Sequence, residues 1–314
     1  MKKSIICCLL LLAMLMTMAG CTQTNYDNPK LQILCTGFSQ YDWARNVLGT
    51  HAEETELILL GNNSADLHSY QATIEDLANI SDCDLFIYIG GASDTWAAEA
   101  LKNPRNPNRK TLALLEIADI LKTEHLEDGE EHEHEHSYEE HIWLSLKYAV
   151  QAVKAITALL IEIDPSNEAD YHANAERYIA ELQVLDGKYQ QCVDTAQRKI
   201  LLFADRFPFR YLTEDYDLEY YAAFSGCSAE TEAGFSTIAF LAQKVDELAL
   251  PAVTVIETGD RIIAQTVIAN TQSKNQEILT LDSIQGNGKR RIEKGETYLQ
   301  IMENNLAVLK KALH

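Results

Sequence analysis

Residues 31–61 read LQILCTGFSQYDWARNVLGTHAEETELILLG, and this stretch decides the fold. LQILCTG (31–37) and ELILLG (56–61) are short apolar runs that stop at glycine, and QYDWARNVLG between them is helix-like. Further on, a helical TIEDLANI leads into another apolar run, DLFIYIGG (84–91). Strands covered on both faces read as unbroken apolar runs rather than alternating ones, so the β-α-β-α-β rhythm predicts a parallel sheet covered by helices. A helix over SDTWAAEALKN, a loop PRNPN and a strand-like TLALLEI continue it.

After His141 the pattern changes to long helices. IWLSLKYAVQAVKAITALLIEI keeps helical spacing until Asp164-Pro165, and a second helix is expected to start at Ser166 or Asn167, both good N-cap types. It runs through 166–196 without a proline, long enough to act as a stiff spine. The strand-helix rhythm then returns with KILLFAD, FRYLTEDYDL, EYYAAFS, FSTIAFLAQKVDELAL, PAVTVIE, RIIAQTVIANTQ and EILTLDS, before a last helix ETYLQIMENNLAVLKKAL. The expected fold class is α/β: one lobe over 30–165, a linking helix over 166–196 and a second lobe over 197–314. Ligands of such sheets bind outside the carboxyl ends of the strands, which in a two-lobed protein face each other across a cleft.

The N-terminus reads MKKSIICCLLLLAMLMTMAGC: two lysines, an apolar run, then Ala19-Gly20 before Cys21. This is the layout of a secretory signal (1–20) with a lipobox, in which Cys21 takes the lipid and 21–29 forms a tether. The rival is a membrane anchor, but the apolar run is at the short limit for a bilayer core of roughly 30 Å. Loss of residues 1–20 leaves 24 basic against 47 acidic residues, a net charge of −23. Such a chain repels polyphosphate, so nucleic acid is excluded as a partner and cations are the natural ligands. Of seven cysteines, Cys35, Cys83, Cys192 and Cys227 remain beside Cys21; no C-x-x-C pair supports a thiolate zinc site. Cys192–Cys227 is one arithmetic disulfide pairing, and Cys35 and Cys83 read as small buried hydrophobes.

The most informative segment chemically is EHLEDGEEHEHEHSYEEH (124–141), with five histidines, nine carboxylates and no lysine or arginine. Imidazole and carboxylate both bind zinc and neighbouring divalent ions. With little apolar content the tract reads as a loop (124–140) in which His125, His132, His134 and His136 are auxiliary, modest-affinity metal ligands. A tight site needs rigid elements. His68 follows the strand ELILLG, His141 opens HIWLSLKYAV, Asp205 closes KILLFAD and Glu257 closes PAVTVIE, all at strand ends or helix starts. Two imidazoles and two carboxylates suit zinc or manganese. The reading that competes with ligation for Asp205 is a helix N-cap or a partner of Arg206 or Arg210, and Glu230 and Glu232 are reserve ligands. No H-E-x-x-H or comparable enzyme motif is present, so the metallohydrolase reading has no motif behind it.

On these residues the chain resembles the solute-binding lipoproteins of zinc and manganese ABC importers, the zinc-receptor branch in particular. FSQYDWARNVLG resembles that family's opening segment. Asp66-Leu67-His68-Ser69-Tyr70 is similar to its first ligand motif, usually Asp-Pro-His-x-Tyr/Phe. EEHIWLSLKYA is close to its second, Asp-x-His-x-Trp-Leu, and a histidine-rich loop precedes it as in the zinc receptors. DPSNEADYHANAERYIAEL resembles the helix that joins the lobes. The chain departs from the pattern at the third ligand, usually a histidine where Asp205 stands, and Glu257 fits the fourth less closely. The resemblance implies two α/β lobes joined by a long rigid helix with the metal in the cleft. It implies Zn(2+) as cargo with manganese as the rival ion, an ABC permease and its ATPase as partners, and a lipid-anchored place on the extracytoplasmic face of the cell membrane. A manganese or iron receptor, and a metal-buffering or adhesin lipoprotein, remain as alternatives.

Overall fold

The computed structural model describes residues 30–61, 68, 70–118, 139–224 and 233–314. In chain order the elements begin with β1 (Gln32–Cys35), α1 (Phe38–Leu48), β2 (Glu56–Leu59), α2 (Ile74–Asp82), β3 (Leu85–Tyr88), α3 (Ala97–Leu101) and β4 (Lys110–Ala113). Two long helices follow, α4 (Leu146–Ile163) and α5 (Glu168–Asp194). The second half holds β5 (Ile200–Phe203), α6 (Arg210–Asp215), β6 (Glu219–Ala222), α7 (Phe235–Glu247), β7 (Ala252–Ile256), α8 (Ile262–Ala269), β8 (Glu277–Leu281), α9 (Gly288–Lys294) and α10 (Tyr298–Leu313).

The strands form two four-stranded sheets with orders β2-β1-β3-β4 and β6-β5-β7-β8, and every pairing is parallel. The α/β architecture read from the apolar runs, including the long helix between the sheets, is therefore the observed one. Side chains alternate across a strand, and here the alternation sorts them between two cores. Ile33 and Cys35, Leu85 and Ile87, Leu201 and Phe203, and Ala252 and Ile256 enter one large central cluster. Leu34 and Phe86 face an outer cluster on the first sheet, and Leu202, Val253 and Val255 face one on the second.

The central cluster runs without a break through α1, α4, α5 and α10, and Leu31–His314 is one compact unit. Polar ties cross it. Asp42 Oδ2, on a residue only 3% exposed, accepts the Tyr178 hydroxyl of α5 at 3.1 Å and the Tyr298 amide of α10 at 3.2 Å. The Tyr189 hydroxyl donates to the Met302 carbonyl at 2.6 Å. Where the sheets meet, a cavity of about 20 Å³ lined by Thr36, Gly37, Tyr70, Ile284, Gln285 and Gly288 has room for about one water.

Local chemistry sets the helix starts. Thr73 with Asp76, and Thr297 with Gln300, form reciprocal capping boxes at α2 and α10. The Ser145 hydroxyl accepts the Tyr148 amide, so α4 begins at Leu146. His141 therefore does not open a helix as expected; a 3-10 turn, Ile142–Leu144, separates it from α4. The helix expected over SDTWAAEALKN shrinks to α3 because the Asp94 carboxylate turns back to accept the Ile89 and Gly90 amides, making Ala92–Asp94 a tight turn. Helix α9, GKRRIEK, was not expected: it is short and charged, and its buried residue is Arg291. Cys35, Cys83 and Cys192 are buried free thiols. Among the described residues no helix is long and apolar enough to cross a membrane. Cys21, the loop histidines His125, His132, His134 and His136, Cys227, Glu230 and Glu232 lie outside the described residues.

Candidate metal centre

The carboxyl ends of both sheets carry the residues singled out from the sequence. On the first sheet the structure brings His68 and His141 together, their Nε2 atoms 3.2 Å apart. Both rings are fixed from behind. His141 is 3% exposed, and its Nδ1 is hydrogen-bonded to the Glu139 carboxylate, which also accepts the His141 amide at 3.0 Å. Glu139 is itself buried, and its carbonyl accepts the Tyr211 hydroxyl at 3.1 Å. Burial would raise the Glu139 carboxyl, but the charge and hydrogen bonds of His141 outweigh it and hold Glu139 below its ordinary value. His68 Nδ1 lies 2.6 Å from Ser93 Oγ, in the turn after β3. The Ser93 amide donates to the Glu140 carboxylate at 3.1 and 3.2 Å. Tyr70, two residues past His68, ties that segment to α2 by donating to Asp76 at 2.7 Å and packs edge-on against Trp96.

Trp143 carries the arrangement to the second sheet. Its ring stands edge-on to His141 at 5.1 Å between centroids, and its indole N–H donates to the Ser283 carbonyl at 2.9 Å. The Ser283 amide and hydroxyl in turn donate to the Glu257 carboxylate, at 2.7 Å and at 2.9–3.0 Å. Glu257 is raised above its ordinary value by burial and by the neighbouring Asp282, with the Ser283 bonds opposing. Arg291, 7% exposed, grips Asp282 through both Nη atoms at 3.0 and 2.9 Å and lies 3.8 Å from Glu257. Asp205 accepts the Arg206 amide at 2.8 Å and the Ile256 amide at 3.2 Å, beneath Gly259, where a Cβ would come within 2.0 Å of the carboxylate. Burial raises Asp205 against those two bonds.

The structure thus joins His68 to His141 directly and Glu257 to His141 through Ser283 and Trp143, whereas Asp205 is engaged by backbone amides. Among the described residues no group of three or more His, Cys, Asp or Glu side chains converges on one point. Sequence reasoning missed Glu139, Ser93, Ser283, Asp282 and Arg291. Glu139 is one of nine carboxylates in its tract, but it stands two residues before His141, at the acidic position of the Asp-x-His-x-Trp-Leu pattern, and that spacing is the signal that could have found it.

Two parallel sheets bridged by one long helix, with paired imidazoles at a carboxyl edge, define the class of α/β solute receptors, and comparison with known proteins agrees. The family model of ZnuA, "Zinc-uptake complex component A periplasmic", matches residues 33–312, so the chain belongs to that family. The family comprises extracytoplasmic receptors of zinc ABC uptake systems and not enzymes. The high-affinity zinc uptake system protein ZnuA of Bacillus subtilis is 29% identical over 294 residues, covering 90% of this chain and 88% of that protein. The zinc-binding lipoprotein AdcA of Streptococcus pneumoniae is 28% identical over 298 residues; the match covers 94% of this chain but only 58% of AdcA. Among solved structures, the metal-dependent lipoprotein YcdH of Bacillus subtilis superposes with a TM-score of 0.76 at 27% identity, over 90% of this chain and 99% of YcdH. The Zn(II)-bound ZnuA-like domain of AdcA gives 0.72 at 26% identity, over 90% and 99% of the two chains.

Proposed function

We propose that this chain captures a zinc ion between His68 and His141 and delivers it to an ABC permease and its ATPase, tethered to the extracytoplasmic membrane face by lipid on Cys21. One observation carries the reading: the two Nε2 atoms face each other at 3.2 Å while both Nδ1 atoms are already bonded. A tetrahedral zinc with Zn–N arms of about 2.0–2.1 Å spans about 3.3–3.4 Å between two donors, so the ion fits the gap with sub-ångström adjustment. Ligating histidines ordinarily bond through the other ring nitrogen to a carboxylate or another oxygen, as both do here.

Carboxylate donors come from the second sheet. Glu257 is preferred because Ser283 and Trp143 couple it to His141; Asp205, held by the Arg206 and Ile256 amides with no such link to the imidazoles, is the second candidate. The auxiliary histidines His125, His132, His134 and His136 add weaker equivalents that raise the local zinc concentration. A site of two imidazoles and carboxylates also accepts manganese, and the histidine-rich tract decides for zinc. The test is a competitive titration of demetallated protein lacking residues 1–21, with zinc and manganese against a calibrated chelator. One tight zinc equivalent, weakened by His68→Ala and by His141→Ala, is expected. Tighter manganese, or no tight equivalent, overturns the assignment.

A further inference from the structure

The loop after β8 holds a backbone conformation that its residue type disfavours. Six non-glycine residues among those described have positive φ; five of them, Asp217, Ala249, Arg261, Lys274 and Asn287, are exposed. The sixth is Ile284, at φ 59° and 1% exposed, with its side chain in the central cluster. A branched Cβ fits the left-handed region poorly, so the surroundings must impose this conformation. Both ends of the preceding peptide group are pinned. Its carbonyl, on Ser283, accepts the Trp143 indole N–H at 2.9 Å, and its N–H, on Ile284, donates to Asp282 Oδ1 at 2.8 Å. Asp282 is fixed in turn. Its amide donates to Asn305 Oδ1 and its carbonyl accepts from Asn305 Nδ2, both at 2.8 Å, while Arg291 grips its carboxylate. Arg291 Nε also donates to the Gly286 carbonyl at 3.1 Å, which holds the chain beyond Ile284.

A negative φ at Ile284 requires that peptide group to turn over, which points the Ser283 carbonyl away from Trp143 and the Ile284 amide away from Asp282. The left-handed backbone is thus tied to the Trp143–Ser283 link, and Ser283 is the residue whose amide and hydroxyl hold Glu257. We propose that Ile284 is a positioning residue of the metal centre: its left-handed backbone keeps Ser283 facing Trp143 and Glu257 together, so that the carboxylate of the second sheet stays in register with His141. The buried isoleucine side chain anchors the loop in the core, which a glycine would not do. Asp282, Asn305 and Arg291 supply the bonds that hold the backbone against its local preference. The inference rests on Glu257 serving as a zinc donor.

The test compares Ile284→Ala with Ile284→Gly in protein lacking residues 1–21, two truncations that differ by one carbon and by their tolerance of positive φ. In ordinary backbone the glycine variant of such a pair is the less stable; here the order is expected to reverse, with the higher urea midpoint in Ile284→Gly. Zinc affinity, by competition with a calibrated chelator, is expected to follow the same order. Ile284→Gly should bind about 5–30-fold tighter than Ile284→Ala, the equilibrium factor equivalent to the left-handed penalty. Should either variant fail to fold, three-bond couplings at Ile284 in the wild type read the sign of φ directly, and a positive φ is expected with zinc bound. A negative φ there, or an alanine variant more stable than the glycine one, overturns the proposal. A glycine variant that is more stable yet binds zinc no tighter assigns the conformation to the fold alone and overturns the positioning role. Glu257→Gln with wild-type zinc affinity is a different failure: the donor assignment then falls, whatever the order of the two truncations.

Discussion

Asp42→Asn isolates the buried carboxylate at which α1, α5 and α10 meet. Burial pushes the Asp42 carboxyl up from 3.8 to about 6, against the opposing bonds of Tyr298 and Tyr178 and the charge of Arg45. The native state therefore binds this proton more tightly than the unfolded chain, and stability falls as pH rises through the interval from 3.8 to about 6. At about 1.36 kcal/mol per pH unit, the rise from 3.8 to about 6 corresponds to about 3 kcal/mol of lost stability once the pH is above that interval. Asparagine keeps an oxygen that accepts from Tyr298 and Tyr178 but has no charge to bury. The assay is urea unfolding of metal-free wild type and Asp42→Asn across pH 4.5 to 7.5. Asp94, also raised to about 6 by burial, is present in both proteins and cancels in the difference. The variant is expected to gain on wild type as pH rises, levelling near pH 7. A difference that is flat with pH, or that grows toward acid, would refute the reasoning.

Trp143→Phe leaves the Ser283 carbonyl without its indole donor and opens space beside His141; a stability loss of about 2–4 kcal/mol is expected by urea unfolding, with weaker zinc binding by competitive titration. Gly288→Ala places a Cβ 2.6 Å from Leu59 Cδ2, and should cost about 1–3 kcal/mol by the same unfolding measurement, much of it recovered when Leu59→Ala is added. Deletion of 126–138 should leave the tight zinc equivalent in place and remove only weaker ones; loss of tight binding would mean the tract supplies primary ligands. Zinc binding to the intact protein should raise its unfolding midpoint in proportion to the logarithm of free zinc, read by differential scanning fluorimetry, and His141→Ala should abolish that rise.

The fold was legible because parallel strands buried on both faces announce themselves as unbroken runs such as ILLF and AVTVI, and because Asp164-Pro165 divides α4 from α5. What stayed hidden depends on neighbours distant in sequence. Helix α9 follows no apolar period; Arg291 buries itself there because Asp282 and Glu296 receive its charge. His68 and His141 stood out in sequence by following an apolar strand and preceding a long helix, although a 3-10 turn separates His141 from that helix. Ser93 and Ser283 did not, since a serine acquires a role in such a site only from what lies against it in space. Asp205 satisfied the positional rule for a ligand equally well, and the structure has its oxygens accept the Arg206 amide beside it and the Ile256 amide from a distant strand, a pairing that sequence order does not reveal.

The unbroken core between the sheets bears on how occupancy can be announced. Many receptors report their cargo by swinging two bodies together, a change a partner senses over a wide surface. Here Trp43, Tyr178, Tyr189 and Tyr298 pack into one mass shared by both halves, and parting the sheets would expose all of them to water. The body of the protein is then a rigid frame, nearly silent about its contents. The message that an ion is aboard has to be written in a few side chains at the rim, and a partner that reads it must read at the scale of a few side chains.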